Sequence, residues 1–148
     1  MVYTDGGNAR LLAEGGSPFP LTTSGAVEQV RISDDGQKIA YTRRPIVDQP
    51  VELRSVNPDG TGDTLLMGPA DFDAQYPLGG LLHNDLSQFQ FVPGTHALLL
   101  NTRGIVEGPG TALHDDLIRI DADSLSRTML LAPGSGGIFT FSPDGRYL

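Results

Sequence analysis

Apolar residues alternate with polar ones in short runs, and the runs are broken by turn residues. Val30/Ile32, Phe89/Phe91 and Phe139/Phe141 alternate at period two before a turn, and Ile39/Tyr41 and Leu98/Leu100 alternate after one. Period-two runs around a Pro, Asp and Gly cluster predict β-hairpins. Three segments align without gaps: Ile32-Ser33-Asp34-Asp35-Gly36-Gln37-Lys38-Ile39, Phe91-Val92-Pro93-Gly94-Thr95-His96-Ala97-Leu98 and Phe141-Ser142-Pro143-Asp144-Gly145-Arg146-Tyr147-Leu148. Each opens on an apolar residue, passes through a turn tetrad and returns to Ile or Leu. Pro presets φ, Asp bonds its own backbone and Gly supplies positive φ, so Asp35, Asp59, Asp144 and their glycines are expected to build turns.

A second unit interleaves with the first. Val51–Val56, the turn Asn57–Gly62 and Asp63–Met67 match Asp116–Asp121, Ala122–Ser126 and Arg127–Leu131. The N-terminal Val2–Thr4, Asp5–Ala9 and Arg10–Leu12 repeat its tail. Residues 111–132 hold no Gly or Pro and partly fit a helical spacing. Their match to the Val51–Met67 unit, whose turn carries Pro58 and Gly60, favours strands.

The expected fold class is all-β, a partial β-propeller of four-stranded antiparallel blades. Residues 1–25 are expected to end one blade with two strands, 26–68 and 85–132 to form full blades, and 137–148 to begin another. The Ser142-Pro143-Asp144-Gly145 turn followed by an apolar strand, and the Asp59-Gly60 turn, resemble the bacterial WD-repeat-like propeller repeats. These occur in the Tol–Pal translocation propeller and in the N-terminal domains of prolyl-oligopeptidase-like peptidases. The resemblance implies a bacterial, periplasmic or extracellular setting. Ring closure takes roughly four to eight blades, so the expectation is a piece of a larger propeller protein whose remaining blades close the ring. Several copies sharing one ring is the rival reading.

Composition refines this picture. The 148 residues include 19 Gly and 11 Pro, which suits many turns between short strands. There is no Cys, which excludes disulfides, thiolate metal sites and a cysteine nucleophile. No apolar run approaches the ~18 residues of a membrane-spanning helix, and the start MVYTDGGNAR lacks the basic and apolar regions of a signal peptide. A net charge of −8 with one basic doublet, Arg43-Arg44, argues against nucleic acid as a partner.

Chemistry is expected on the long loops. Gly68–Asn84 and Gly104–Asp115 carry the candidate ligand-binding residues Asp71, Asp73, Tyr76, His83, His114 and Asp115, with Glu107 and Asp116 nearby. His and carboxylates could bind a metal or polar ligand, but Asp71-x-Asp73 lacks the later acid and Gly of a calcium loop. Alternation along a strand also keeps His114, Asp115 and Asp116 from converging easily. No metal or cofactor is therefore expected. His96 reads as an exposed, variable turn residue, and Phe19 and Tyr76 as plugs between blades. Gly134-Ser135-Gly136-Gly137 only imitates the Gly-x-Ser-x-Gly nucleophile elbow, so the chain carries no expected catalytic residues. The expected function is a non-catalytic module that binds a protein or polysaccharide through its loop face. The resemblance implies two alternatives. One is the accessory propeller of a serine peptidase whose catalytic domain is not in this chain. The other is a propeller lyase or hydrolase needing further blades.

Overall fold

The fold is taken from a computed structural model, which describes every residue except Pro109, Pro143, Asp144 and Arg146. It contains three antiparallel sheets in succession. The first holds β1 (Val2–Asp5), β2 (Asn8–Leu11) and β3 (Phe19–Pro20) in that order. The second holds β4 (Val27–Ile32), β5 (Ile39–Arg43), β6 (Glu52–Val56) and β7 (Thr64–Met67), again in chain order. A short helix, α1 (Pro69–Gln75), leads to the third sheet. There β8 (His83–Phe91) pairs with one edge of β9 (Ala97–Ile105). The other edge of β9 takes β11 (Leu117–Asp121) along Ala97–Leu100 and β10 (Thr111–Leu113) along Arg103–Ile105. Strand β12 (Arg127–Leu131) pairs outside β11.

The repeated turn has the same hydrogen bonding in all three copies. Ser33 N–H donates to Lys38 O at 2.9 Å, Val92 N–H to Ala97 O at 2.8 Å and Ser142 N–H to Tyr147 O at 2.9 Å. Inside the turns, Gly36 and Gly145 N–H donate back to Ser33 and Ser142 O, both at 2.9 Å. Gly36 and Gly145 have φ of 72° and 70°, a region that penalises a Cβ. Asp35 Oδ1 accepts the Ser33 hydroxyl (2.7 Å) and Gln37 N–H (3.0 Å), and Asp59 does the same for Thr61. Both acids are turn builders, as expected; Asp144 lies outside the described residues.

Packing comes from strand alternation. In β5, Ile39 and Tyr41 face the first sheet and join Ala9, Leu21, Val27, Val30 and Val56. Ala40 points the other way, into a core shared with the third sheet. That core sets Leu53, Leu66, Met67 and Phe72 against Phe89, Leu98, Leu100, Ile118 and Ile120. The second sheet is thus covered on both faces, which is why four of the five residues of β5 are buried. Each fully buried aliphatic side chain contributes about 1.5–3 kcal/mol.

Three sequence expectations are corrected. Residues 1–25 form three strands, not two; β3 is only two residues long and one is Pro20, so it carries little strand signal. The Asp5–Asn8 turn also sits beside the start of β4, where Gly7 O accepts Val27 N–H at 2.9 Å and Asn8 Oδ1 accepts Gly25 N–H at 2.9 Å. Next, Ile39 pairs with Val56 and its counterpart Leu98 pairs with Ile120. Val56 therefore corresponds to Ile120, one residue away from the sequence alignment, which set it against Asp121. Leu53–Met67 and Leu117–Leu131 are equal in length and bulge at the same place, so the slip comes from the sequence alignment, which set the turn Asn57–Gly62 against the shorter Ala122–Ser126. Finally, the 68–84 connector, read as loop, contains α1.

The sheets have two unlike ends. The turns at 33–38, 57–63, 92–96 and 122–126 share one end, joined by Gly94 N–H donating to Asp34 Oδ2 (2.9 Å). The connectors at 44–51, 68–82 and 106–116 share the other, joined by Val51 N–H donating to Asp85 Oδ1 (3.0 Å).

Candidate functional site

The loop end carries the candidate residues, and α1 organises half of them. Pro69 occupies the first helical position, where a missing N–H costs nothing. Asp71 stands in the first turn and accepts Gly68 N–H through Oδ2 at 2.8 Å. Its other oxygen takes Arg127 at 3.1 Å. Burial pushes the Asp71 carboxyl up, but the Gly68 N–H and Arg127 outweigh it and hold it below its ordinary value. Phe72, fully buried, fixes the helix to the core. Asp71 is therefore a helix cap with an ion pair, and bonds to none of the other candidates.

Asp73, Tyr76 and His114 are brought together, but through two residues outside the expected site, Asn84 and Asp116. Asn84 is fully buried. Its N–H donates to Asp73 Oδ1 (2.9 Å), its Nδ2 to Tyr76 O (3.2 Å), and its Oδ1 accepts His114 Nε2 (2.8 Å). That last bond requires the proton on Nε2. Burial pushes the His114 imidazole below its ordinary pKa, which keeps it neutral. The Tyr76 ring lies 4.4 Å from the His114 ring, tilted by 37°.

Asp116 is also fully buried. It accepts Thr102 N–H and the Thr102 hydroxyl, both at 2.8 Å, and the Tyr76 hydroxyl at 2.5 Å. Burial, then the bond to Asp116, raises the Tyr76 phenol above its ordinary range. The two fully buried members, Asn84 and Asp116, bind Asp73, Tyr76, Thr102 and His114 and so tie α1 to the third sheet. Tyr76 is thus a bonded tie rather than a plug. Asn84 carries no local signal and Asp116 only its place next to His114 and Asp115, because their partners lie between 8 and 40 residues away.

The last two candidates stand apart. Asp115 has φ of 49°, and its carboxylate forms no hydrogen bond with the described residues; its carbonyl accepts Gly136 N–H. His83 begins β8 and lines a different hollow of about 240 Å³ with Arg44, Val47, Asp48, Asp85, Arg103 and Ile105. Asp85, 1% exposed, lies at its base. It accepts Val51 N–H, Leu86 N–H at 2.9 Å and Arg44 at 3.0 Å, with Arg103 at 3.6 Å. Arg44 is further held by Glu28 at 2.8 Å and by the Gln49 carbonyl.

His96, expected to be exposed, is partly buried and bonded to Asp35 and Asp123 at the turn end. Phe19, on β3, is 44% exposed and packs its ring edge close to Gly60 of the second sheet. Among the described residues, no three His, Cys, Asp or Glu side chains converge in a way that could hold a metal ion. Among the same residues, no helix is long and apolar enough to cross a membrane. Neither a family model nor a curated protein matches the chain.

Proposed function

We propose that the chain is part of a β-propeller of the WD-repeat-like kind and that it binds a protein partner through its loop end without catalysing a reaction. The observation that carries the binding assignment is the contrast between the two ends. Ile46 (64%), Val47 (79%), Leu78, Leu82 (58%) and Leu113 are exposed at the loop end. The turn end is built mostly of Asp, Asn, Gly and Ser, and its exposed large side chains, Met1, Phe19, Leu125 and Tyr147, are spread over separate turns and strand ends. Exposed aliphatic side chains gathered on one face mark interaction sites. They favour protein over polysaccharide, because sugar rings stack on exposed aromatic faces and the Tyr76 ring is covered by His114. The propeller assignment is supported by the thrice-repeated turn and by successive antiparallel sheets stacked face to face. On this reading the remaining blades come from outside the chain.

The test is capture of binding proteins by the full chain from an extract of its source cells. The double variant Ile46→Ser/Val47→Ser and the turn-end variant Leu125→Ser are run alongside. The reading expects a partner retained by the parent and by Leu125→Ser and lost by the double variant. A partner indifferent to the double variant, or a glycan array bound in place of any protein, refutes it.

A further inference from the structure

The hollow beside His83 contains a buried donor without a partner. Arg44 is fully committed, to Glu28, Asp85 and the Gln49 carbonyl. Arg103 is not. Its nearest carboxylate is Asp85 at 3.6 Å, its Nε is buried without a hydrogen-bond partner, and its side chain is one-third exposed. His83 makes no hydrogen bond with a described residue, which leaves its ring nitrogens available. Val47 and Ile105 supply an apolar wall. Asp48 stands on the rim, exposed on its loop and without an ion pair to a described residue. Its repulsion of an anion is weakened by water, whereas the Arg103 charge sits lower and against protein.

We propose that this hollow receives a carboxylate carried beside an aliphatic side chain of the partner. The outer nitrogens of Arg103 grip the carboxylate, His83 gives a second hydrogen bond and Val47 and Ile105 hold the aliphatic group. A guanidinium is suited to this because its planar edge presents paired donors to both oxygens. The source is either a chain terminus or an Asp or Glu side chain. The proposal rests on the loop end being the binding surface, but its test does not need the partner.

The full chain, labelled with ¹⁵N-arginine and ¹⁵N-histidine, is titrated with N-acetyl-leucine, which carries a terminal carboxylate, and with N-acetyl-aspartyl-leucinamide, which carries a side-chain one. N-acetyl-leucinamide is the control without a carboxylate. The expected result is a saturable shift of the Arg103 Nε–H resonance with one or both acids and none with the amide. The dissociation constant should be on the order of millimolar for probes of this size. Whichever acid binds more tightly names the source. Asp48→Asn, an exposed substitution, should tighten binding by about two- to threefold by removing the rim charge. Arg103→Gln should abolish the response read at His83. A shift that is absent, does not saturate or is equal for the amide overturns the proposal, and so does one that survives Arg103→Gln or is unmoved by Asp48→Asn. That failure would leave the Ile46/Val47 result standing, so the two readings fail separately.

Discussion

His96 Nδ1 lies 2.7 Å from Asp123 Oδ2. The other ring nitrogen, Nε2, lies 3.0 Å from Asp35 Oδ2 in the neighbouring sheet. A neutral imidazole donates from one nitrogen only, so both bonds require the protonated ring. Lys38, also from the second sheet, completes the cluster by pairing with Asp123 at 3.0 Å. The bond to Asp123 raises the His96 pKa most; burial opposes this, and the Asp35 bond adds to it. A raised pKa in the folded chain means that the cluster stabilises fully below the ordinary histidine value and fades as pH climbs through the raised one. Asp35 works in the opposite sense. The Ser33 hydroxyl, then Gln37 N–H, hold it down to about 2, so its contribution is present above the ordinary carboxylate value and lost as pH falls through about 2. The urea midpoint of the parent should exceed that of His96→Gln at pH 5.5, and the gap should close by pH 9. A gap that is constant across this range would sink the assignment.

Asp116→Ala removes the acceptor for three donors at once, two of them on Thr102. Unpaired buried donors make the expected loss about 3 kcal/mol. Tyr76→Phe removes one bond and should cost about 1 kcal/mol. In the Asp116→Ala background, Tyr76→Phe should cost much less, because the hydroxyl has already lost its partner. Urea denaturation of the four proteins gives the cycle. Additive losses would mean that the Tyr76–Asp116 bond contributes nothing to stability.

These cases show where the sequence was readable. The turns around Asp35 and Asp59 could be found from sequence because each acid bonds within two residues of itself, and short-range chemistry is written in order along the chain. The strands beside them could be found because alternation at period two survives in both copies. The Val56–Ile120 correspondence was missed by one residue because the two turns share no residue pattern, Asn57-Pro58-Asp59-Gly60 against Ala122-Asp123-Ser124-Leu125, so no residue match set their alignment. Helix α1 was missed because its seven residues hold one buried apolar side chain, Phe72, too few for a periodic signal. Of the six candidates, Asp73, Tyr76 and His114 do meet. What joins them is Asn84 and Asp116, whose importance comes from burial across elements and not from any local motif. His96 looked like a variable turn position for the same reason: both of its partners are distant in sequence.

Gly136 has a different constraint. A Cβ there would stand 2.8 Å from Asp116 O and 2.9 Å from Asp115 O, and backbone oxygens cannot swing aside. Gly136→Ala should therefore lift the 133–137 connector off the sheet at a cost of about 1–3 kcal/mol. Hydrogen exchange provides the readout. The Gly134 and Gly136 N–H groups donate to His114 O and Asp115 O, and both should exchange faster in the variant. Unchanged protection at the position-136 amide would show that the connector accommodates the methyl group.

Met67 and Leu131 hold the same place in their sheets, Met67 paired with Leu53 and Leu131 with Leu117. Met67 is fully buried and Leu131 is 38% exposed; their neighbours Leu66 and Leu130 differ likewise, at 4% and 47%. The cause is the cover each strand receives, since Phe72 and the third sheet pack over Met67, whereas the outer side of β12 faces solvent. Met67→Ala should cost about 2–4 kcal/mol, as a buried truncation does. Leu131→Ala should cost less than about 1 kcal/mol, because much of its surface is already wet. Denaturation midpoints measured over a hundredfold range of protein concentration decide the matter. An equal and concentration-independent loss for the two variants would contradict the exposed face. A Leu131→Ala loss that grows with concentration would show that another molecule covers β12, because only an associating surface makes stability depend on protein concentration.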